Sequence, residues 1–180
     1  MKLIAGNTLL LVVDVQEKIF SVMHEQKKTK RNICRVIEGA NVLQVPIIWT
    51  EQYPAGLGST LADVAAAMHG STPLQKISFS CLGDDGITEQ LKSYNRSQIL
   101  VCGIETHVCV YQTVQDLLAG GIETHIVTDA VMSRHEPNHT LGLRKMAEMG
   151  AHQTSVEMAL FELLGVATGE QFKAVARIIK

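Results

Sequence analysis

The sequence is poor in aromatic side chains and has no excess of basic residues. Phe, Trp and Tyr make up 4% of its 180 residues, and 16 Lys and Arg face 18 Asp and Glu, for a formal net charge of -2. Nucleic-acid-binding surfaces combine a basic patch with stacking aromatic side chains. The composition therefore argues against a nucleic-acid partner, and the basic cluster at residues 27–31 is interpreted as a solvated helix face.

Long apolar runs and paired cysteines are also missing. No stretch approaches the roughly 18 apolar residues that span a membrane, so no membrane partner is expected. The apolar run before Asp14 has the length of a signal sequence, but it lacks a small-residue cleavage site and is interpreted as a buried strand. The four cysteines form no CxxC pair, which predicts reduced thiols in a cytoplasmic protein: Cys34, Cys81, Cys102 and Cys109.

The chain does contain a regular alternation of strand and helix patterns. Apolar runs predict six strands, at residues 8–15, 45–50, 75–79, 98–104, 123–128 and 152–156. Helical spacing predicts helices at 26–44, 87–94, 107–119 and 137–149, and a last one that ends at Leu164. Repeated strand-helix units predict an α/β fold, a three-layer α/β/α structure around a six-stranded, mainly parallel, Rossmann-like sheet. Residues 1–180 are expected to form one domain.

The segment QILVCGIETHVCV, residues 98–110, combines a buried strand with the start of a helix. Gly103 interrupts the apolar run, and Thr106 is a candidate N-cap that would place Cys109 in the first helical turn. Unpaired N–H groups and the helix dipole favour a thiolate there and can stabilise an oxyanion. The pattern therefore predicts a nucleophilic cysteine.

Reactive side chains fall at the carboxyl ends of several predicted strands, where open α/β sheets bind ligands. Asp14 ends the first strand, Lys76 lies in the third and Cys109 follows the fourth; Glu51 and Asp129 follow the second and fifth. A carboxylate can take and return the thiol proton, and an ammonium group can stabilise both anions. Each residue also has a structural interpretation, as a loop cap, an edge-strand charge or a small buried side chain.

The chain resembles the isochorismatase-like cysteine hydrolases, the superfamily of nicotinamidases, N-carbamoylsarcosine amidase and isochorismatases. The resemblance runs from LLVVDVQ through GIETHVCV to VTDAVMSR, and GIETHVCV is its most specific motif. It is closest to a small subgroup with KISFSC-like motifs, many of whose members have no assigned substrate. The resemblance implies Asp14 as general base and acid, Lys76 as its partner and Cys109 as the nucleophile.

The resemblance also implies an oxyanion hole beside a non-proline cis peptide. The cis bond would join Ile104 to Glu105, and the backbone N–H groups of Glu105 and Cys109 would form the hole. Members of the family form dimers and larger oligomers, so a homo-oligomer is expected.

Two departures from the family narrow the expected chemistry. Nicotinamidases carry an Asp-x-His metal site after the second strand, whereas residues 50–54 read TEQYP here. True isochorismatases replace the cysteine, whereas Cys109 is present. The resemblance therefore implies a metal-independent hydrolase without a cofactor, which cleaves the C–N bond of a small amide through a thioester.

Two histidine signals are discounted. The letters HEPNH at residues 135–139 match the HExxH zinc pattern, but Pro137 belongs at a helix start and leaves His135 outside the helix. His107 lies two residues before Cys109, and side chains at that spacing point apart on a helix. His107 is therefore interpreted as a packing or hydrogen-bonding residue.

Residues that follow or end strands near the expected triad are candidates for the pocket of a small-molecule substrate. They are Gln16, Trp49, Gln52, Tyr53 and Phe79. The alternative to an enzyme is a non-catalytic member of the same fold that binds a metabolite or a protein. A third interpretation is a thiol redox protein, with Cys81 as the resolving cysteine.

Overall fold

A six-stranded parallel sheet forms the centre of the structure, a computed structural model that describes residues 2–180. The strand order is β3-β2-β1-β4-β5-β6, and all five neighbouring pairs are parallel. The expected α/β sheet is therefore confirmed. The strands are β1 (Thr8–Val13), β2 (Ile47–Gln52), β3 (Leu74–Lys76), β4 (Gln98–Ile104), β5 (Glu123–Met132) and β6 (His152–Thr154).

Helices cover both faces of the sheet, and none within residues 2–180 is long and apolar enough to cross a membrane. A π-helical turn, Thr106–Val110, directly follows β4, and 3₁₀ turns span Ala5–Asn7 and Cys81–Gly83. The α-helices are α1 (Glu17–Phe20), α2 (Gln26–Val42), α3 (Pro54–Leu57), α4 (Ala62–Ala67), α5 (Asp85–Ser93), α6 (Tyr111–Ala119), α7 (Glu136–Glu148), α8 (Val156–Leu164) and α9 (Gly169–Ile179).

Strands β1 and β4 are buried along their whole length because they lie in the middle of the sheet. Successive side chains of a strand point to opposite faces, so an apolar run without alternation fills two cores. Leu10 and Val12 pack with α2, α8 and α9, whereas Leu9 and Leu11 pack with α5 and α6. Each buried leucine contributes about 1.5–3 kcal/mol to stability.

The middle of the sheet requires glycine at position 103. Gly103 has φ +118°, and an added Cβ would overlap the backbone of Val13 on β1. The pairing of β4 with β5 also shifts register between Val101 and Gly103. This glycine therefore lets the end of β4 approach β1 closely, just before the turn that carries Cys109.

Several elements differ from the sequence-based expectations. Strand β5 continues to Met132, four residues beyond its predicted end, and β3 is only three residues long. The segment after residue 167, which had no predicted element, forms α9 and packs on α2 through buried Val175. The predicted helix at 107–119 is divided into the π-helical turn and α6.

The substitution Gly103→Ala should lower the free energy of unfolding by roughly 2–5 kcal/mol, because left-handed backbone strain adds to overlap with the neighbouring strand. Urea denaturation measures this change. Gly6→Ala is the matched control, since an added Cβ meets open space there, and its effect should stay within about 0.5 kcal/mol. Equal stability of the two variants would contradict the packing described for β4.

Candidate functional site

Asp14, Lys76 and Cys109 all lie at the carboxyl edge of the sheet. Asp14 follows β1, Lys76 ends β3 and Cys109 lies in the π-helical turn after β4. Their exposed fractions are 2%, 2% and 6%. The Nζ atom of Lys76 is 2.6 Å from Oδ2 of Asp14, so the two residues form a buried ion pair.

The backbone turn after β1 presents the Asp14 carboxylate to its neighbours. Asp14 adopts a left-handed conformation with φ +49°, which aspartate tolerates better than most residues. Its N–H donates to the carbonyl of Thr50, and its Oδ1 accepts a 2.7 Å hydrogen bond from the Thr50 hydroxyl. Since Oδ2 accepts from Lys76, both carboxylate oxygens have partners. Thr50 was not among the predicted site residues, although its place at the end of a predicted strand was a usable signal.

The Lys76 ammonium group is surrounded by oxygen acceptors. Besides Asp14, its Nζ lies 3.1 Å from the carbonyl of Phe79, 3.2 Å from that of Ser78 and 3.3 Å from Oε1 of Gln52. A buried charge is tolerated when it is paired and hydrogen-bonded in this way. Carbonyl oxygens of the loop after β3 therefore enclose the ammonium group of Lys76.

Gln52 connects the thiol to the ion pair. Its Oε1 accepts a 2.9 Å hydrogen bond from Sγ of Cys109 and also accepts from Lys76. Its Nε2 donates to the carbonyl of Ile77, and its backbone N–H donates to Gln16 Oε1. Gln52 was expected only as a lining residue of the substrate pocket, and the structure places its amide between Cys109 and Lys76.

The surroundings of the Cys109 thiol favour its protonated form. Burial raises its pKa, the Asp14 carboxylate raises it further, and the Lys76 charge opposes the shift. The expected thiolate-favouring environment is therefore wrong, because removal from water outweighs the local positive groups. The expected N-cap is wrong as well, since Glu105 precedes the π-helical turn and no side chain caps it.

A hydrogen bond and an ion pair hold the segment between β4 and Cys109 against the loop after β5. The Glu105 carboxylate is buried, with Oε2 accepting from the backbone N–H of Arg134 and Oε1 3.2 Å from Nη2 of the same residue. The peptide bond between Ile104 and Glu105 is cis. The Glu105 carbonyl accepts from the N–H of Val110, which closes the π-helical turn. The backbone that carries Cys109 is therefore held by hydrogen bonds at Glu105, before the thiol, and at Val110, after it.

Two of the expected pocket residues are structural. The Gln16 side chain is fully buried, and its Nε2 donates to the carbonyls of Gln52 and Gly58. Trp49 packs in the core on the other face of the sheet from Cys109, with its indole N–H donating to Ser71 Oγ. The expectation that Gln16 and Trp49 line a pocket is therefore corrected.

Tyr53 and Phe79 remain at the surface near the site, with exposed fractions of 54% and 52%. A cleft of about 310 Å³ lies beside Lys76 and is lined in part by Tyr53, Ile77 and Asp84. Its size is at the lower end of the range for small-molecule sites. The cleft borders β3 and the residues that follow β2, and Asp14, Gln52 and Cys109 are not among its lining residues.

Glu51 and Asp129, which were expected to follow strands, lie within β2 and β5 and have structural roles. Oε1 of Glu51 accepts from both the N–H and the hydroxyl of Thr60. Oδ1 of Asp129 accepts from the N–H of Val156 at the start of α8. Each carboxylate therefore holds another segment of the chain by hydrogen bonds, Glu51 at Thr60 and Asp129 at the start of α8.

His107 and His139 form hydrogen bonds with groups other than the Cys109 thiol. Nδ1 of His107 lies 2.9 Å from Ser133 Oγ, and its Nε2 lies 3.4 Å from Asn138 Nδ2. His135 precedes α7 as its N-cap residue, outside the helix, as expected from Pro137. Thr106 forms a hydrogen bond with His139 Nδ1.

All four cysteines are free thiols. Cys81 is fully buried, its Sγ lies 3.8 Å from Thr50 Oγ1, and burial raises its pKa to about 11. A thiol in this state is a poor resolving group, so the structure gives little support to the redox interpretation.

Known proteins resemble this chain over nearly its whole length. The Isochorismatase domain model matches residues 8–158. A relative from Phytophthora sojae, named a secreted isochorismatase effector, is 35% identical over 185 residues, which cover 99% of this chain and 87% of that protein. Isochorismatase domain-containing protein 2 of Bos taurus is 33% identical over 180 residues, with 99% and 86% covered.

Solved structures share the same architecture. MAR1 ribonuclease from Caenorhabditis elegans superposes with a TM-score of 0.93 at 34% identity, covering 99% of this chain and 92% of that one. The YcaC gene product of Escherichia coli, described as an octameric hydrolase of unknown specificity, has a TM-score of 0.94 at 20% identity, with 99% and 89% covered. The domain match and the relatives together show that this chain belongs to the isochorismatase family.

Proposed function

We propose that this protein is a metal-independent cysteine hydrolase that cleaves the C–N bond of a small amide through a thioester. The observation that carries the proposal is one buried hydrogen-bonded chain at the carboxyl edge of the sheet, formed by Cys109, Gln52, Lys76 and Asp14. Membership of the isochorismatase family supports hydrolase chemistry in general. The last residues of β2 support a metal-free reaction, because Glu51 binds Thr60 and Gln52 binds the thiol.

The first step joins Sγ of Cys109 to the carbonyl carbon of the amide. Because the resting thiol is neutral, its proton passes to Asp14 as the S–C bond forms and the carbonyl electrons move to oxygen. The ion pair and the neutral thiol become a neutral acid, an ammonium and an oxyanion, so the net charge of the site stays at zero. Lys76 therefore offsets one negative charge before and after the transfer.

The backbone N–H groups of Glu105 and Cys109 stabilise the oxyanion in this mechanism. When the oxyanion collapses, the C–N bond breaks and the proton held by Asp14 passes to the departing nitrogen. Water, deprotonated by Asp14, then attacks the thioester carbonyl, which releases the acid and restores the thiol. Burial of the site strengthens each of these electrostatic interactions.

A non-catalytic binding protein is the second candidate function. Cys109 is only 6% exposed and its thiol is neutral at rest, which favours a closed site that holds a metabolite. The intact pair of Asp14 and Lys76 favours the enzyme, since burying two charges is costly and binding does not require a proton carrier.

The chain is also proposed to act as a homo-oligomer in the cytoplasm. The YcaC gene product, which shares the fold, is described as octameric. Four free thiols suit a reducing compartment.

RNA is not proposed as a substrate, although the Caenorhabditis elegans relative is named a ribonuclease. The net charge of -2 and the small number of aromatic residues provide little to bind a phosphate backbone. RNA therefore serves as a comparison substrate in the tests below.

Replacement of the nucleophile tests the mechanism directly. Cys109→Ala should reduce amide turnover by roughly 10³-fold or more, since no other group can form the thioester. A panel of small primary amides, carbamoyl compounds and RNA is screened, with ammonia release and RNA cleavage as the readouts. Cys34→Ala, which removes a half-buried thiol outside the site, is the matched control and should keep full activity. Normal turnover by Cys109→Ala would rule out the mechanism, and ligand binding without turnover by the unmodified protein would favour the binding function.

The raised pKa of Cys109 predicts an unusual pair of effects for Asp14→Asn. Removing the carboxylate should lower the pKa of the thiol and speed its alkylation by iodoacetamide at about pH 8, while amide turnover is lost with the proton carrier.

In the unmodified protein, alkylation of Cys109 should continue to accelerate above pH 9, because its pKa is raised. Lys76→Met should slow it, since the ammonium lowers the thiol pKa.

Mass spectrometry of the modified peptides measures each rate, with Cys34 as the internal reference thiol. Slower alkylation in Asp14→Asn would show that the carboxylate does not control the thiol. Retained turnover in that variant would show that Asp14 carries no proton.

A further inference from the structure

Three side chains with metal-binding atoms meet at the amino edge of the sheet, opposite the edge that carries Cys109. Glu123 begins β5, and His125 follows two residues later, so both side chains lie on the same face of the strand. His152 begins β6, and its Cα is paired with that of His125 in the parallel register. Directly paired residues also share a face, so Glu123, His125 and His152 form one cluster.

The ligand atoms of this cluster are close together. Nε2 of His125 lies 2.8 Å from Oε1 of Glu123, and the two imidazole rings are 4.8 Å apart between centroids. One ligand atom from each of the three side chains lies within 4.8 Å of the other two. Tetrahedral ligands about 2.1 Å from a metal ion are about 3.4 Å from one another, so small side-chain rotations bring these three atoms into range.

Neighbouring residues orient the Glu123 carboxylate, and His152 is exposed to solvent. Gln98 on β4 donates from Nε2 to Oε1 of Glu123 and to the carbonyl of Lys2. Its Oε1 accepts from the N–H of Ile4 and the hydroxyl of Thr8, so the amide that orients the carboxylate is itself fixed. Hydrogen bonds of this kind orient the ligands of protein metal sites. His125 is buried and His152 is exposed, which opens one side of the cluster to solvent.

We propose that Glu123, His125 and His152 bind a divalent transition-metal ion of the zinc class. Two imidazoles and one carboxylate suit Zn²⁺ and its neighbours in the first transition row, whereas Ca²⁺ and Mg²⁺ prefer all-oxygen sites. Three protein ligands leave one tetrahedral position for water or another ligand.

A metal ion at this position links β6 to β5 through their side chains. Strand β6 has three residues and lies at the edge, paired with β5 alone. The ion joins both strands through side chains, so it stabilises the fold and takes no part in chemistry at Cys109.

Zinc titration of the 180-residue chain tests the site. Protein stripped with EDTA is titrated with ZnCl₂ by calorimetry at about pH 7, and the imidazole NMR signals identify which histidines respond. One equivalent should bind, and His152→Ala should weaken this binding by roughly tenfold or more. His69→Asn is the matched control, because it removes an exposed histidine outside the cluster, and it should bind as the unmodified chain does.

Thermal unfolding supplies a second readout. Zinc should raise the melting temperature of the unmodified chain and of His69→Asn, and should leave that of His152→Ala unchanged. Glu123→Gln, which keeps the side-chain shape, should also lose the effect. Equal zinc affinity in His152→Ala and the unmodified chain would overturn the proposal, as would imidazole signals of His125 and His152 that do not respond to zinc.

Discussion

The buried ion pair between Lys76 and Asp14 is the constraint on which the site depends. Removing two charges from water costs several kcal/mol per ion, and the cost is recovered only with good geometry and further hydrogen bonds. Here Thr50, the carbonyls of Ser78 and Phe79, and Gln52 supply those bonds. The ends of β1, β2 and β3 must therefore be in place together, and the site is a product of the whole edge of the sheet.

Burial and the neighbouring carboxylate of Asp14 together favour the protonated form of the Cys109 thiol. A carboxylate next to a buried cysteine keeps the proton on sulfur, and the adjacent ammonium only partly offsets this effect. These surroundings therefore favour the thiol of Cys109 over its thiolate. Such a site protects the thiol from oxidants and alkylating agents, because both react mainly with thiolates.

The sequence predicted the sheet and the positions of Asp14, Lys76 and Cys109, because apolar strands and strand-end residues leave clear patterns. It could not predict the role of Gln52, since the direction of a side-chain amide depends on how the loops after β2 and β3 fold. It predicted the wrong thiol state, because a helix start is visible in a motif whereas the depth of burial is not. Helix α9 was missed although Phe172, Val175 and Ile179 have helical spacing, because a short segment at the end of a chain has few neighbours to support an assignment.

Lys76 is supplied by β3, a strand of three residues at the edge of the sheet that pairs with β2 alone. Edge strands open more easily than central ones, and local opening requires less free energy than global unfolding. Each time β3 detaches, the ammonium leaves and the Asp14 carboxylate remains buried without its cation. Heating or denaturant should therefore separate Lys76 from Asp14 while the central strands are still folded.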